Sequence, residues 1–207
     1  MLTLVIETAT AACSVALIAD GAIVAARHEV VGRGHAERLL PMIAELPGGG
    51  RAGHILVDVG PGSFTGIRVG IAAARGLALG WHAGISGYSS LALIAAAGFT
   101  AEPDSESLAV VLEGGHGEVF MQPFVARPLA PIAPLASLRP EAALAALGDR
   151  VAIGNGIRFL TTIAPGINAR ETLPRASDAL LLPPSFSLLD PTPIYGRAPD
   201  ATPIAAQ

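Results

Sequence analysis

Lysine is absent from this 207-residue chain; all 13 basic residues are arginine. That excludes a phosphate-binding Walker lysine, a Schiff-base lysine and a Ser–Lys dyad. Cysteine is nearly absent too. Cys13 stands alone, so no intrachain disulfide can form, and a reducing compartment fits. The five histidines, His28, His35, His54, His82 and His116, form no His-x-x-x-His pair and there is no Cys-x-x-Cys, so a metal site has no support. No apolar stretch approaches the ~20 residues that span a bilayer, and the start, Met1 to Glu7, meets an acid too early for a signal peptide. A soluble, cytoplasmic chain with no membrane partner is expected. An excess of positive charge is also missing. The formal net charge is −4, which argues against gripping nucleic acid by bulk electrostatics. A Gly-x-Ser-x-Gly elbow is not satisfied around Ser63, where Pro61 and Thr65 hold the glycine positions.

What is present is glycine in a telling place, Gly60-Pro61-Gly62-Ser63-Phe64-Thr65-Gly66-Ile67-Arg68-Val69-Gly70. The apolar run 55–59 reads as a buried strand. Gly60 to Ser63 then fits a type II turn, with proline at its second position and glycine taking positive φ at its third. A helix is expected from about Thr65 to Leu79, capped by Ser63 or Thr65. Strand, glycine turn and helix is an arrangement that holds phosphate. Without lysine, and with no nearby acid to support that role, the segment reads instead as a device that aims a small-residue helix. Gly66, Gly70, Ala74 and Ala78 recur every four residues, as do Ala72, Gly76 and Gly80. Such spacing lets another element approach closely, which offsets the roughly 0.5–1 kcal/mol that each helical glycine costs. Arg68 and Arg75 share one stripe. Two readings are open: a buried helix with two surface arginines, or a helix packed on its own sheet and on a partner.

Proline divides the chain. Only Pro41, Pro47 and Pro61 of 17 fall in the first 100 residues. A lobe boundary is expected near Phe99 to Ser105, separating an N-terminal lobe, 1–100, from a smaller, divergent C-terminal lobe, 101–207, with a proline-rich tail. The first lobe reads as strands 2–7, 13–19 and 22–30 (the last two joined at Asp20-Gly21), helix His35 to Leu46 bent at Pro41, the glycine unit, strand 84–86 and helix 89–97. The second reads as a hairpin, 108–112 with 118–125, helix 140–147, strand 151–153 and a helical stretch near 177–182, then irregular chain from Pro183. Glu7, Thr8 and Ser14 are weak cofactor candidates: turn hydroxyls and amides meeting phosphate, with Glu7 handling a metal or water. A hairpin whose hydroxyls satisfy its own backbone is the favoured alternative. Glu113 and Glu118 flank a glycine turn and read as solvated, with no catalysis assigned.

Several segments together resemble the TsaB (YeaZ) family, often labelled glycoprotease-like: Glu7-Thr8-Ala9-Thr10, then Cys13 to Leu17, His35 through Leu39-Leu40-Pro41, and Gly60 to Gly70 with Ala74-Arg75-Gly76-Leu77-Ala78. The match runs from residue 2 to about 97 and is looser afterwards, through Gly117 to Phe120, Gly154 to Gly156 and Pro193 to Arg197. The resemblance implies an α/β, two-lobed actin-like, ribonuclease H-like (ASKHA) fold, a mixed sheet with helices in each lobe. It implies a non-catalytic role in making N6-threonylcarbamoyladenosine at position 37 of tRNA, as partner of the transferase TsaD, which carries the metal and nucleotide. TsaE joins them in a ternary complex, and tRNA is met only through that complex. TsaD-type proteins carry two metal-binding histidines; here Gly87 and Leu91 stand at those positions. No catalytic or metal residue is therefore expected, and no cofactor in the isolated chain, with ATP or ADP only at a junction with partners.

The resemblance further implies that helices 35–46 and 65–79 pair with TsaD in a four-helix interface through His35, Leu39, Met42, Ile43, Ile67, Gly70, Ile71, Ala74 and Arg75, with a homodimer through the same surface when TsaD is absent. In three departures, Glu7 stands where aspartate is common, Leu112 to His116 where Asp-Ala-Arg is common, and the loop around Gly48 to Gly53 and the C-terminal region are short. The competing readings are a small actin-like ATPase or kinase using the Glu7–Ser14 turn, and, less favoured, a peptidase.

Overall fold

A computed structural model describes residues 1–197; the last ten residues of the proline-rich tail lie outside it. Alternation builds the first sheet. In β1 (Leu2–Glu7), Leu4 and Ile6 point to one core and Val5 to another, the period-2 pattern of a strand buried on both faces. β2 (Ala12–Ala19) pairs antiparallel with β1, and β3 (Ala22–Val30) antiparallel with β2. β4 (His54–Asp58) and β5 (Gly84–Tyr88) add parallel strands, giving the order β3-β2-β1-β4-β5. The second sheet takes β6 (Ser107–Gly115), β7 (Glu118–Ala126), β8 (Leu129–Pro131), β9 (Ala136–Leu138), β10 (Val151–Ile153) and β11 (Ala169–Arg170), in the order β11-β10-β6-β7-β8 with β9 also on β7.

Three apolar clusters stack these sheets into layers. Helices α1 (His35–Ala44) and α2 (Phe64–Trp81) cover one face of the first sheet. α3 (Ser90–Ala101) lies between the two sheets with a short 3-10 segment, 176–181. α4 (Pro140–Leu147) and α5 (Ile157–Ile163) cover the far face of the second sheet. α3 is apolar nearly all round because it is packed on every side. At Gly98 an added Cβ would sit 2.3 Å from Ile153 Cδ1, so glycine sets the helix's approach to the second sheet.

The hairpins, α4 and β10 lie where periodicity places them. Differences are local. The turn after β4 is not type II: the Gly60–Pro61 peptide is cis and Gly62 has φ 159°, far from the ~+80° of that turn. α2 begins at Phe64, and Ser63, not Thr65, caps it, its Oγ accepting the Gly66 N–H at 3.2 Å. α1 runs through Pro41 but stops at Ala44 rather than Leu46, and α3 continues to Ala101. The sequence pattern gives no sign of β8, β9, β11 or α5. All are short, and α5 carries the weak helix formers Thr161 and Thr162.

Candidate partner-binding face and a buried acid pair

The two repeats of small residues in α2 do different work. Gly66 and Gly70 face the sheet: a Cβ would lie 2.1 Å from Thr8 O at position 66 and 2.3 Å from Thr8 Oγ1 at position 70. These glycines let α2 rest on the end of β1. Gly76 and Gly80 face the other way, where an added Cβ meets nothing within 4 Å among the described residues. Ala72 is exposed on the same outer stripe, and Leu79 is 80 % exposed.

The residues expected to meet a partner divide on the same line. His35, Leu39, Met42, Ile43, Ile67, Gly70, Ile71 and Ala74 are all buried within this chain. His35 Nε2 lies 3.1 Å from Ala12 O, fixing α1 to β2. These side chains are spent on packing within the chain, which leaves other residues of the two helices on their outer surface. Amphipathic spacing identifies the faces that pack inward on the first sheet, because the apolar stripe of a surface helix is its core face. The outward face of α1 and α2 is instead Ala36, Leu40, Pro41 and Ala44 with Ala72, Gly76, Leu79 and Gly80. These positions are apolar and mostly small, Leu40 is 52 % exposed, and the exposed charges Glu37, Arg68 and Arg75 border them. The signal for it in the sequence is the weak amphipathicity of α2, whose outer stripe is nearly as apolar as its inner one.

Arg75, the one exposed member of that set, is occupied within the chain. Its Nη2 donates to Pro191 O at 2.8 Å. Arg68 donates twice to Tyr195 Oη, at 3.1 and 2.8 Å, and its guanidinium sits 3.4 Å over the Phe64 ring. Residues 188–197 thus form a strap. Gly87 and Leu189 exchange both backbone hydrogen bonds, Ile194 N–H donates to Val59 O at 2.7 Å, and Arg197 reaches Glu118 of the second sheet at 3.6 Å. Gly196 packs against the Phe120 ring, 2.4 Å from where a Cβ would stand. Periodicity cannot show the strap's hold on α2, whose partners lie more than 100 residues apart.

Under the strap and α2 lies a polar knot that the sequence pattern hides, because Asp58 reads only as the end of a strand. An acid does therefore stand beside the glycine turn. Glu7 and Asp58 are both fully buried. Glu7 Oε1 accepts the Ala9 N–H at 2.9 Å, and Oε2 lies 2.9 Å from Ser90 Oγ and 3.0 Å from Tyr88 Oη. Asp58 Oδ2 accepts the Thr8 N–H at 2.8 Å and lies 3.0 Å from Thr8 Oγ1. Burial, then repulsion from Asp58, push the Glu7 carboxyl well above the usual range. Burial pushes Asp58 up to about 7. Ser14 is buried elsewhere, donating to Arg27 O at 3.1 Å and accepting the Ala176 N–H at 3.0 Å. Thr10 Oγ1 accepts the Ala12 N–H. Thr10 and Ser14 thus serve backbone of the hairpin strands, while Thr8 Oγ1 turns to Asp58 and to Gly66 O of α2 and Ser14 also holds Ala176. Glu113 pairs with exposed Arg158, and Glu118 accepts from Ser137.

Two mixed sheets, each flanked by helices and joined across a central helix, define a two-lobed actin-like, ribonuclease H-like α/β protein. A family model described as TsaD, tRNA N6-adenosine threonylcarbamoyltransferase, matches residues 26–126. The tRNA threonylcarbamoyladenosine biosynthesis proteins TsaB of Escherichia coli K12 and Haemophilus influenzae are 40 % and 36 % identical over 124 and 127 residues. These alignments cover 56 % and 59 % of this chain, and the chain spans about half the length of these curated relatives, 52 % and 53 %. A Pseudomonas aeruginosa protein described by its similarity to the peptidase YeaZ superposes with TM-score 0.79 at 29 % identity, covering 95 % of this chain and 99 % of its own. YeaZ from the same organism gives TM-score 0.74 at 29 % identity, covering 87 % and 89 %. The chain is thus similar to the TsaB (YeaZ) proteins, to the curated ones over somewhat more than half of its length and to the solved ones over most of it.

Proposed function

We propose that this chain takes part in tRNA threonylcarbamoyladenosine biosynthesis as a non-catalytic subunit that binds and activates a TsaD-type transferase through the outer face of α1 and α2. The carrying observation is that face: an exposed stripe of Ala72, Gly76 and Gly80 with open space above both glycines, beside exposed Leu40 and Leu79. Small residues with nothing over them among the described residues give a partner's helices room to approach the backbone. The names of the TsaB relatives support the pathway, and the TsaD-type family match supports pairing between similar chains. An interface of this kind buries roughly 1,200–2,000 Å² in total.

Two features support a non-catalytic role. Gly87, at one of the positions where TsaD-type chains carry a metal-binding histidine, has no room for a side chain. Its Cβ would lie 2.6 Å from Val59 Cγ1 and 3.1 Å from Asp190 O. Leu91, at the other, is buried in the core between the sheets. An ATPase using the Glu7–Ser14 turn is disfavoured by Glu7's complete burial, and a peptidase by the helix-capping bond that engages Ser63. The net charge of −4 suits a chain that meets tRNA through its partners, with nucleotide and TsaE at a subunit junction. Mixing the purified chain with its TsaD should give a one-to-one heterodimer by light scattering, and tRNA modification should require both. Two monodisperse species that never combine would refute the proposal. The chain alone should form a homodimer through the same face.

A further inference from the structure

Protons can be counted around the buried acids. Thr8 Oγ1 carries one, yet it stands 2.9 Å from Gly66 O and 3.0 Å from Asp58 Oδ2. Tyr88 Oη also carries one, yet it stands 3.1 Å from Ile6 O and 3.0 Å from Glu7 Oε2. A backbone carbonyl only accepts. If the acids were ionised, each hydroxyl would face two acceptors with one proton, and one contact in each pair would set oxygen against oxygen in a site without water-like screening. Asp58 Oδ1 adds a third sign. Among the described residues it is buried with no hydrogen-bond partner of good geometry, the Gly60 amide being a nearby donor, tolerable for the carbonyl oxygen of a neutral acid and far more costly for half of a carboxylate charge.

We infer that Glu7 and Asp58 stand as neutral carboxylic acids, Glu7 Oε2–H donating to Tyr88 Oη and Asp58 Oδ2–H to Thr8 Oγ1, which frees the two hydroxyl protons for Ile6 O and Gly66 O. The knot is therefore a proton-loaded fastening that ties β1 to β4, β5 and α2, rather than a cation site or a general base. Its surroundings agree. The groups acting on the pair are the hydroxyls of Thr8, Tyr88 and Ser90 and the amides of Ala9, Thr8 and Gly60, with the buried Cys13 thiol within reach of both acids and Asp178 acting on Tyr88; none of these is a cation. Gly70 belongs to the same device. A Cβ there would stand 2.3 Å from Thr8 Oγ1 and 3.5 Å from Asp58 Oδ2, so only glycine lets the helix close over the pair.

The test is a carboxyl-carbon NMR titration of the full chain from pH 4 to 9, with the two signals assigned through their own side-chain carbons and checked by their loss in Glu7→Gln and Asp58→Asn. Glu7→Gln suits the site, since its amide N–H can replace the acid proton toward Tyr88. Both carboxyls are expected to remain protonated at pH 5.5, where ordinary acids of pKa about 4 are ionised. Asp58 should titrate near 7, and Glu7 well above the usual carboxyl range. Glu7→Gln should keep the wild-type thermal midpoint at pH 5.5. Finding either carboxyl ionised at pH 5.5 in the folded wild-type chain would overturn the inference, whether or not the variants fold.

Discussion

Glycine at 70 and glycine at 76 stand nearly two turns of one helix apart and predict opposite outcomes. Gly70→Ala drives a methyl into Thr8 Oγ1 and forces α2 off β1, an overpacking cost of about 1–3 kcal/mol. Gly76→Ala adds the same methyl in open space and removes the backbone-entropy cost of a helical glycine, a gain of about 0.5–1 kcal/mol. Urea unfolding of both variants checks this, and equal effects would contradict the assignment of faces. The buried acids make a second prediction at this scale. Each has a folded-state value raised above its unfolded one, about 3.9 for Asp and 4.3 for Glu. The folded state therefore holds the extra protons, and stability is complete below about pH 4 and lost as pH rises through the folded values. Asp58 sets a window from about 4 to 7, so the urea midpoint should be higher at pH 5 than at pH 8, by a difference on the order of a few kcal/mol in free energy. A midpoint that rises with pH over that interval would contradict it.

At the scale of elements, the strap accounts for what the arginine stripe of α2 is for. Arg68 and Arg75 hold residues 191 and 195, and three backbone bonds carry the strap along the ends of β4 and β5. Removing residues 188–207 should cost about 2–4 kcal/mol, from those bonds at about 0.5–1.5 kcal/mol each and the lost arginine–aromatic contacts. It should also speed amide exchange at Gly87, whose N–H donates to Leu189 O. Unchanged protection at Gly87 after truncation would refute the role. Local patterning makes β1, β2, β3, β6, β7 and α4 legible from sequence, since apolar alternation, Asp20-Gly21 and Pro140 are local signals. The strap and the acid knot are not legible in that way. Each joins residues far apart in sequence, as Arg68 with Tyr195 and Thr8 with Asp58, and such pairings leave no period in either segment. α2 is legible as an element but not as to its faces, because Ile67, Gly70 and Ala74 inside and Ala72, Gly76 and Gly80 outside differ little in polarity.

For the whole molecule, the consequence is that core and partner face can be separated by mutation. Ile71 and Leu79 lie on the same helix, one 5 % and the other 80 % exposed. A charge at Ile71 buries an unpaired carboxylate between α2 and the first sheet, so Ile71→Asp should unfold the chain and say nothing about binding. A charge at Leu79 faces solvent in the isolated chain, where surface substitutions stay within about 0.5 kcal/mol. If α1 and α2 meet a TsaD-type partner, that same charge is desolvated at the centre of the contact, where a hot-spot loss of about 2–4 kcal/mol weakens the dissociation constant roughly 30- to 1,000-fold. Leu79→Glu, and independently Leu40→Glu on α1, should thus keep the wild-type melting temperature, lose the heterodimer and the homodimer together, and abolish tRNA modification in the reconstituted system. Retention of the heterodimer by both variants, each still folded, would move the partner face away from these helices. The strap side of the molecule, with Phe64 and Tyr195 exposed, would then be the next surface to vary.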